Sequence, residues 1–269
     1  MKRSTPIPAI LALLVTSPCN TAAAQGPRAA GQTFVYEITV SHNIKADFSS
    51  LPASMQGQVA AQEARGNKTP IVYVLTATAD HVNPDGSAHA HVGFTNSLEG
   101  NLRGADQSVF ARFNQFGAAF GADGRLIPQY DPKMPPATDS RGMTPEQIQN
   151  TKAGQMSDIL ADFNIFAAGC AKRGQIRIGD AWHVASRDQY GMSRTYDFAA
   201  TAIMGSVAAV TLKGAFASST GTNSVDAAGS YDIARHLIVD LHVVESFKNV
   251  PAGGPSSSGT TTTDYRLKE

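Results

Sequence analysis

Cysteine is scarce in this sequence: among 269 residues only Cys19 and Cys170 are cysteine. Cys19 falls in an N-terminal stretch that reads as a removable leader, so Cys170 stands alone, and a lone cysteine closes no internal disulfide. It is expected as a small buried apolar residue rather than a reactive thiol. Excess charge is also missing, with Lys+Arg 22 against Asp+Glu 22. No basic stripe interleaved with aromatics occurs, which argues against nucleic acid and anionic membrane surfaces as partners. No apolar run approaches the ~20 residues of a membrane-spanning helix. The G-x-S-x-G elbow, the phosphate loop, the dinucleotide fingerprint and H-E-x-x-H are all absent. No catalytic residue, cofactor or metal is expected on those grounds.

What the N-terminus does have is Lys2 and Arg3, then a short apolar run from Ala9 to Val15, then Ala22-Ala23-Ala24. That order is expected of a secretory leader over residues 1–24, cleaved after Ala24 and leading to a secreted or periplasmic location. Pro18 stands where a lipoprotein leader carries a small residue, which argues against lipidation of Cys19. Residues 25–269 are then one domain, long enough to bury a core without disulfides.

The dominant pattern is period-two alternation, the mark of half-buried strands. Phe34, Tyr36, Ile38 and Val40 share one face; so do Ile71, Tyr73, Leu75, Ala77 and Ala79. The pattern recurs at Ile176, Ile178, Trp182 and Val184, at Tyr196, Phe198 and Ala200, at Val210, Leu212 and Phe216, and at Val225, Ala227, Tyr231 and Ile233. It is longest at Leu237, Val239, Leu241, Val243 and Phe247. The breaks NPDG, GADG, IMGS and STGTN have hairpin length, so neighbouring strands run antiparallel. The expectation is a mainly β fold: a large curved antiparallel sheet or half-barrel of roughly nine to eleven strands. Trp182, the one tryptophan, is expected to anchor its core.

One amphipathic helix, at about 145–168, is expected on the apolar face of the sheet. Thr144, Pro145 and Gln147 make a capping box with proline at the first helical position, and Ile148, Met156, Ile159, Leu160, Phe163 and Ala167 form its stripe. The segment from Ser49 to Pro70 is polar and weakly patterned and reads as a loop. Asn67-Lys68-Thr69 matches a glycosylation sequon.

The stretch ADHVNPDGSAHAHVGF holds His81, His89 and His91 beside Asp80 and Asp85. A four-residue loop pairs Leu75 with Phe94, Ala77 with Val92 and Ala79 with Ala90, all apolar, and this register predicts His89 opposite Asp80 and His91 opposite Thr78. His81 then points to the other face, the three histidines do not converge, and no metal site forms.

Gly179-Asp180-x-Trp182 after a strand, followed by GSYDIARHLIVDLHV (Gly229, Tyr231, Asp232), resembles secreted bacterial proteins of unknown function. The resemblance covers about the C-terminal third. It implies a LolA/LppX-like fold, a curved antiparallel sheet wrapped over helices, with a concave apolar face able to hold a lipid chain. The chain departs from the lipoprotein carriers of that fold in showing no helix between its early strands.

An apolar strand face of ~45 Å by ~17 Å is only partly covered by a helix ~36 Å long. The expected function is therefore non-enzymatic binding or carriage of a lipid or other apolar small molecule, with Met156, Leu160, Phe163, Val239 and Leu241 as ligand contacts. The alternatives are an envelope interaction protein with a filled core, and a hydrolase or metalloprotein built from dispersed residues. A membrane β-barrel would need lipid-facing apolar bands and aromatic girdles, and aromatics are only 7%.

Overall fold

Alternation becomes eleven strands in the computed structural model, which describes residues 29–47, 49, 52–66, 69–96, 115–133, 144–187, 193–218, 221–249 and 256–268. The leader, Cys19 and Asn67 of the sequon lie outside these residues. The strands are β1 (Thr33–Ala46), β2 (Ile71–Val82), β3 (Ala88–Asn96), β4 (Gln115–Phe120), β5 (Leu126–Gln129), β6 (Ala181–Arg187), β7 (Ser193–Met204), β8 (Val207–Ser218), β9 (Gly221–Asp232), β10 (Leu237–Asn249) and β11 (Ser257–Lys268).

They form one curled, unclosed antiparallel sheet in the order β5-β4-β3-β2-β1-β11-β10-β9-β8-β7-β6. Two sequential meanders, β1–β5 and β6–β11, are thus joined where β1 pairs with β11, and β5 and β6 are the free edges. Bulges at Ala79/His81, Ala200/Ala202 and Ile238/Asp240 add local bend and twist.

The two faces differ as the alternation requires. The concave face buries Tyr36, Ile38, Leu75, Phe116, Phe120, Tyr196, Phe198 and Val210. The convex face carries ion pairs, including Lys213–Asp226, His242–Asp264 and Lys268–Glu37. A membrane barrel is built the other way round, apolar outside. No described helix is long and apolar enough to cross a membrane.

The helical part differs from the expectation of one helix over 145–168. The capping box at Thr144 is present, with Thr144 and Gln147 bonded reciprocally, and Pro145 opens the helix. That helix, α2 (Pro145–Ile159, the second in the chain), ends early. Leu160 leaves helical geometry at φ −88°, ψ 3°, and α3 (Ala161–Arg173) follows. The break lets Met156, Leu160, Phe163 and Phe166 all face a sheet that curves beneath them, and all four are buried. Together α2 and α3 carry the chain from one free edge of the sheet to the other.

The segment read as a loop contains α1 (Ala53–Gly66). Its described side chains are nearly all exposed, so it has no apolar stripe for the sequence to reveal. A helix does therefore sit between β1 and β2, and the departure noted from the carrier fold does not hold.

The strand expected from Gln175 starts only at Ala181. Ile176 is buried, but Ile178 sits in a turn with Gly179 at φ 84° and is 67% exposed. Trp182 is half-buried rather than fully enclosed, stacked on Phe198 at 5.3 Å, with its indole N–H donating to the Gly169 carbonyl.

Candidate functional site: the rim of the concave face

One end of the concave face is solid. Phe163 of α3 meets Tyr36 edge-on at 5.2 Å and Tyr265 at 5.5 Å, and the Tyr265 hydroxyl donates to the Ile159 carbonyl at the helix break. Met156, Leu160, Phe163 and Leu241 are all buried at 2% exposure or less. Four of the five residues expected to contact ligand therefore lie in helix–sheet packing. The fifth, Val239, is the residue skipped in the β9–β10 register. This bulge shifts the alternation of β10, so that Ile238, opposite Tyr231, takes the inward place.

The other end is open. A cavity of about 610 Å³ lies against the ends of β7, β8, β9 and β10, and its lining includes Arg194, Phe216, Asn223, Phe247 and Asn249. Register explains why these side chains meet. Tyr196 pairs with Gly214, and Gly214 with Val225; on the next inward row, Phe216 pairs with Asn223 and Asn223 with Phe247. The Arg194 guanidinium lies 4.7 Å from the centre of the Phe216 ring, and Tyr196 meets the same ring edge-on at 5.2 Å. Gly214 is required here, because a Cβ would come within 2.8 Å of both rings.

Charge gathers beside this cavity. Burial pushes the Asp162 carboxyl up to about 7, with repulsion from Glu245 adding to the shift and Arg194 opposing it. Loss of solvent also raises Glu245, again against the pull of Arg194. Tyr196 is raised by burial first and by Asp162 second, while a hydrogen bond with Arg194 works the other way. One guanidinium thus acts electrostatically on two carboxyls and a phenol at the border of an aromatic cavity.

The sequence reading missed this site although a signal was present. Glu245 is the one charged residue on the row of Leu241, Val243 and Phe247, and Arg194 continues the row of Tyr196, Phe198 and Ala200. A charge on an apolar strand face is the exception that marks a site.

In the β2–β3 hairpin the apolar pairs Leu75–Phe94, Ala77–Val92 and Ala79–Ala90 form as expected on the inner face, and on the outer face His91 stands opposite Thr78. Beyond Ala79 the register shifts. His81 pairs with His89 and Val82 with Ala88, so Asp80 is the extra residue. Ala88 is inward and buried, which places His81 outward with His89 and His91. The expectation that His81 points away is thereby overturned. Asp80 bonds both other imidazoles, at 3.2 Å to His89 Nδ1 and 2.6 Å to His91 Nδ1.

No protein-family model matches the chain, and no curated protein matches it. Among solved structures it is similar to lipovitellin, in a structure described for its lipid–protein interactions, with a TM-score of 0.50 and 8% identity. The match covers 90% of this chain and 25% of that one, so the chain spans about a quarter of the length of the protein it resembles, and the likeness is one of fold.

Proposed function

We propose that this chain is a non-enzymatic, secreted or periplasmic binding protein that takes part of an apolar, amphiphilic molecule into the rim of its concave face. The observation that carries this reading is the open cavity of about 610 Å³ bordered by Phe216, Phe247, Arg194 and Asn223. Its size lies within the usual range for small-molecule sites of ~300–1,000 Å³. The aromatic rings offer an apolar wall, and the guanidinium and amide offer directional polar contacts. The fold similarity to lipovitellin supports a lipid-like ligand. The ligand contacts move accordingly from Met156, Leu160, Phe163, Val239 and Leu241 to the rim, because the rim residues line open space.

The test is lipid extraction and native mass spectrometry of protein purified from its own envelope, with a fluorescent fatty acid as the defined probe. A co-purifying lipid, and probe binding lost in Phe216→Glu and Phe247→Glu with the far-ultraviolet circular dichroism unchanged, is the expected result. No lipid and no probe binding would favour an envelope scaffold, the reading supported by the filled end of the concave face. Hydrolysis draws on the paired carboxyls Asp162 and Glu245; turnover of an ester or glycoside that disappears in Asp162→Asn would replace the carrier reading.

A further inference from the structure

We propose that the outer face of β2, β3 and β4 binds one divalent ion of zinc type through His89 Nε2, His91 Nε2 and Asp131, with Asp80 orienting both imidazoles. The inference is independent of the rim cavity. It starts from the bulge at Asp80, which sets one carboxylate beside two histidines spaced i and i+2 on a single strand face.

The Asp80 carboxylate reaches Nδ1 of both rings, at 3.2 and 2.6 Å. An ionised carboxylate only accepts hydrogen bonds, so both Nδ1 atoms carry the proton. With the proton on Nδ1, each ring has its Nε2 on the side away from Asp80, where it can offer a lone pair to a cation. A carboxylate that holds Nδ1–H and frees Nε2 is the usual outer support of a metal-binding histidine.

Asp131 supplies the second, separate observation. Its side chain is only 7% exposed. Gln149 of α2 clamps its backbone, accepting from its N–H at 3.0 Å and donating to its carbonyl at 3.1 Å. Its Oδ1 accepts from the Lys133 N–H at 2.8 Å. Its Oδ2 faces His89 Nε2 at 3.7 Å, too far for a hydrogen bond. A lone pair on His89 Nε2 and the Asp131 carboxylate repel at that separation, and a cation held between them removes the repulsion. Two ligands bonded at 2.0–2.2 Å to one tetrahedral ion sit about 3.4 Å apart, a few tenths of an ångström short of the separation here.

Gly117 makes room for this arrangement. It stands directly across from His91, and a Cβ on it would lie 2.7 Å from the Asp131 Cβ. A residue with any side chain at 117 would push Asp131 away from the histidines. His91 is two residues from His89, roughly 6.6 Å along the strand, which two imidazoles leaning together can span. Among the described residues no three such side chains stand as a finished cage, so binding an ion requires the imidazoles to turn toward Asp131.

The experiment titrates tag-free, chelator-treated full chain with Co²⁺, reading the visible spectrum, and with Zn²⁺ by calorimetry. The expected result is one ion per chain with the intense spectrum of tetrahedral cobalt. Binding should be lost in His89→Ala and in His91→Ala, and weakened at least tenfold in the isosteric Asp131→Asn. Asp80→Ala should weaken it on the order of 10–100-fold. His183→Ala, which disrupts a surface histidine–aspartate pair elsewhere on the convex face, should leave it unchanged. Absence of binding would overturn the proposal, as would binding that survives the His89 and His91 substitutions. So would a His89 ring that stays doubly protonated well above neutral pH by nitrogen NMR, since the 3.7 Å contact would then be a simple ion pair.

Discussion

Gly169 has no side chain because there is no space for one. A Cβ at this position would come within 2.1 Å of the Phe198 ring, and the Gly169 carbonyl takes the Trp182 indole proton. Gly169→Ala is predicted to cost about 1–3 kcal/mol by overpacking, with a shift of Trp182 fluorescence as α3 moves off the sheet. Trp182→Ala should cost about 2 kcal/mol, below the ~3–5 kcal/mol of a fully buried aromatic, because the ring is only half-buried. Chemical denaturation of both variants checks the pair. Asp162 gives a third test. Its carboxyl titrates near 3.8 when unperturbed and about 7 in the fold, so the native state binds the proton more tightly. The stability this contributes is complete below about pH 4 and is lost as pH rises through 7, at up to ~1.4 kcal/mol per pH unit. Asp162→Asn should flatten the melting temperature between pH 4 and 7 and exceed the parent above pH 7. A variant less stable than the parent at pH 8 would mean that Asp162 is ionised and paired with Arg194.

At the scale of elements, α3 deals with the exposed edge of β5. The Asn164 side chain accepts from the Leu126 N–H at 2.8 Å and donates to the Leu126 carbonyl at 2.9 Å, as a neighbouring strand would. Asn164→Leu is predicted to cost about 1–3 kcal/mol by leaving both backbone groups unpaired. It should also speed hydrogen exchange at Leu126; unchanged exchange there would mean that another group caps the edge. Such pairings were not legible in the sequence, whereas strands such as β1 and β2 were, because one face of each is buried and the other solvated. Alternation failed where backbone irregularity intervened. The extra residue at Asp80 turned His81 to the other face, the one at Val239 put Ile238 inward in its place while Leu241 and Val243 kept their expected face, and nothing in the side-chain pattern marks a bulge. The helix α1 was invisible because its described side chains bury almost nothing, and the break at Leu160 because the apolar stripe runs on through it. The rim site was legible in part, through Arg194 and Glu245 on apolar rows. Asp131 and Gly117 were not, since only the tertiary fold brings them beside His89 and His91.

For the whole molecule, Cys170 is a built-in reporter. It is fully buried, and burial pushes its thiol far up, out of the reactive range. A thiol reagent at neutral pH should label the native protein only at the rate of global unfolding, and labelling should accelerate with denaturant along the unfolding limb; fast labelling without denaturant would reveal local opening of α3. The sheet also has an order of assembly written into its connectivity. Its two halves are local meanders, each made of hairpins that form between neighbours in sequence. Their joint is the most distant contact in the chain, with Val35 beside Lys268 at one end and Ala46 beside Ser257 at the other. Closing that joint costs the most chain entropy of the strand pairings, so it is predicted to form late and to limit the folding rate. Until β11 arrives, β1 is an unprotected edge carrying Phe34, Tyr36, Ile38 and Val40, and that is where chains still being made are most exposed to sticking to one another.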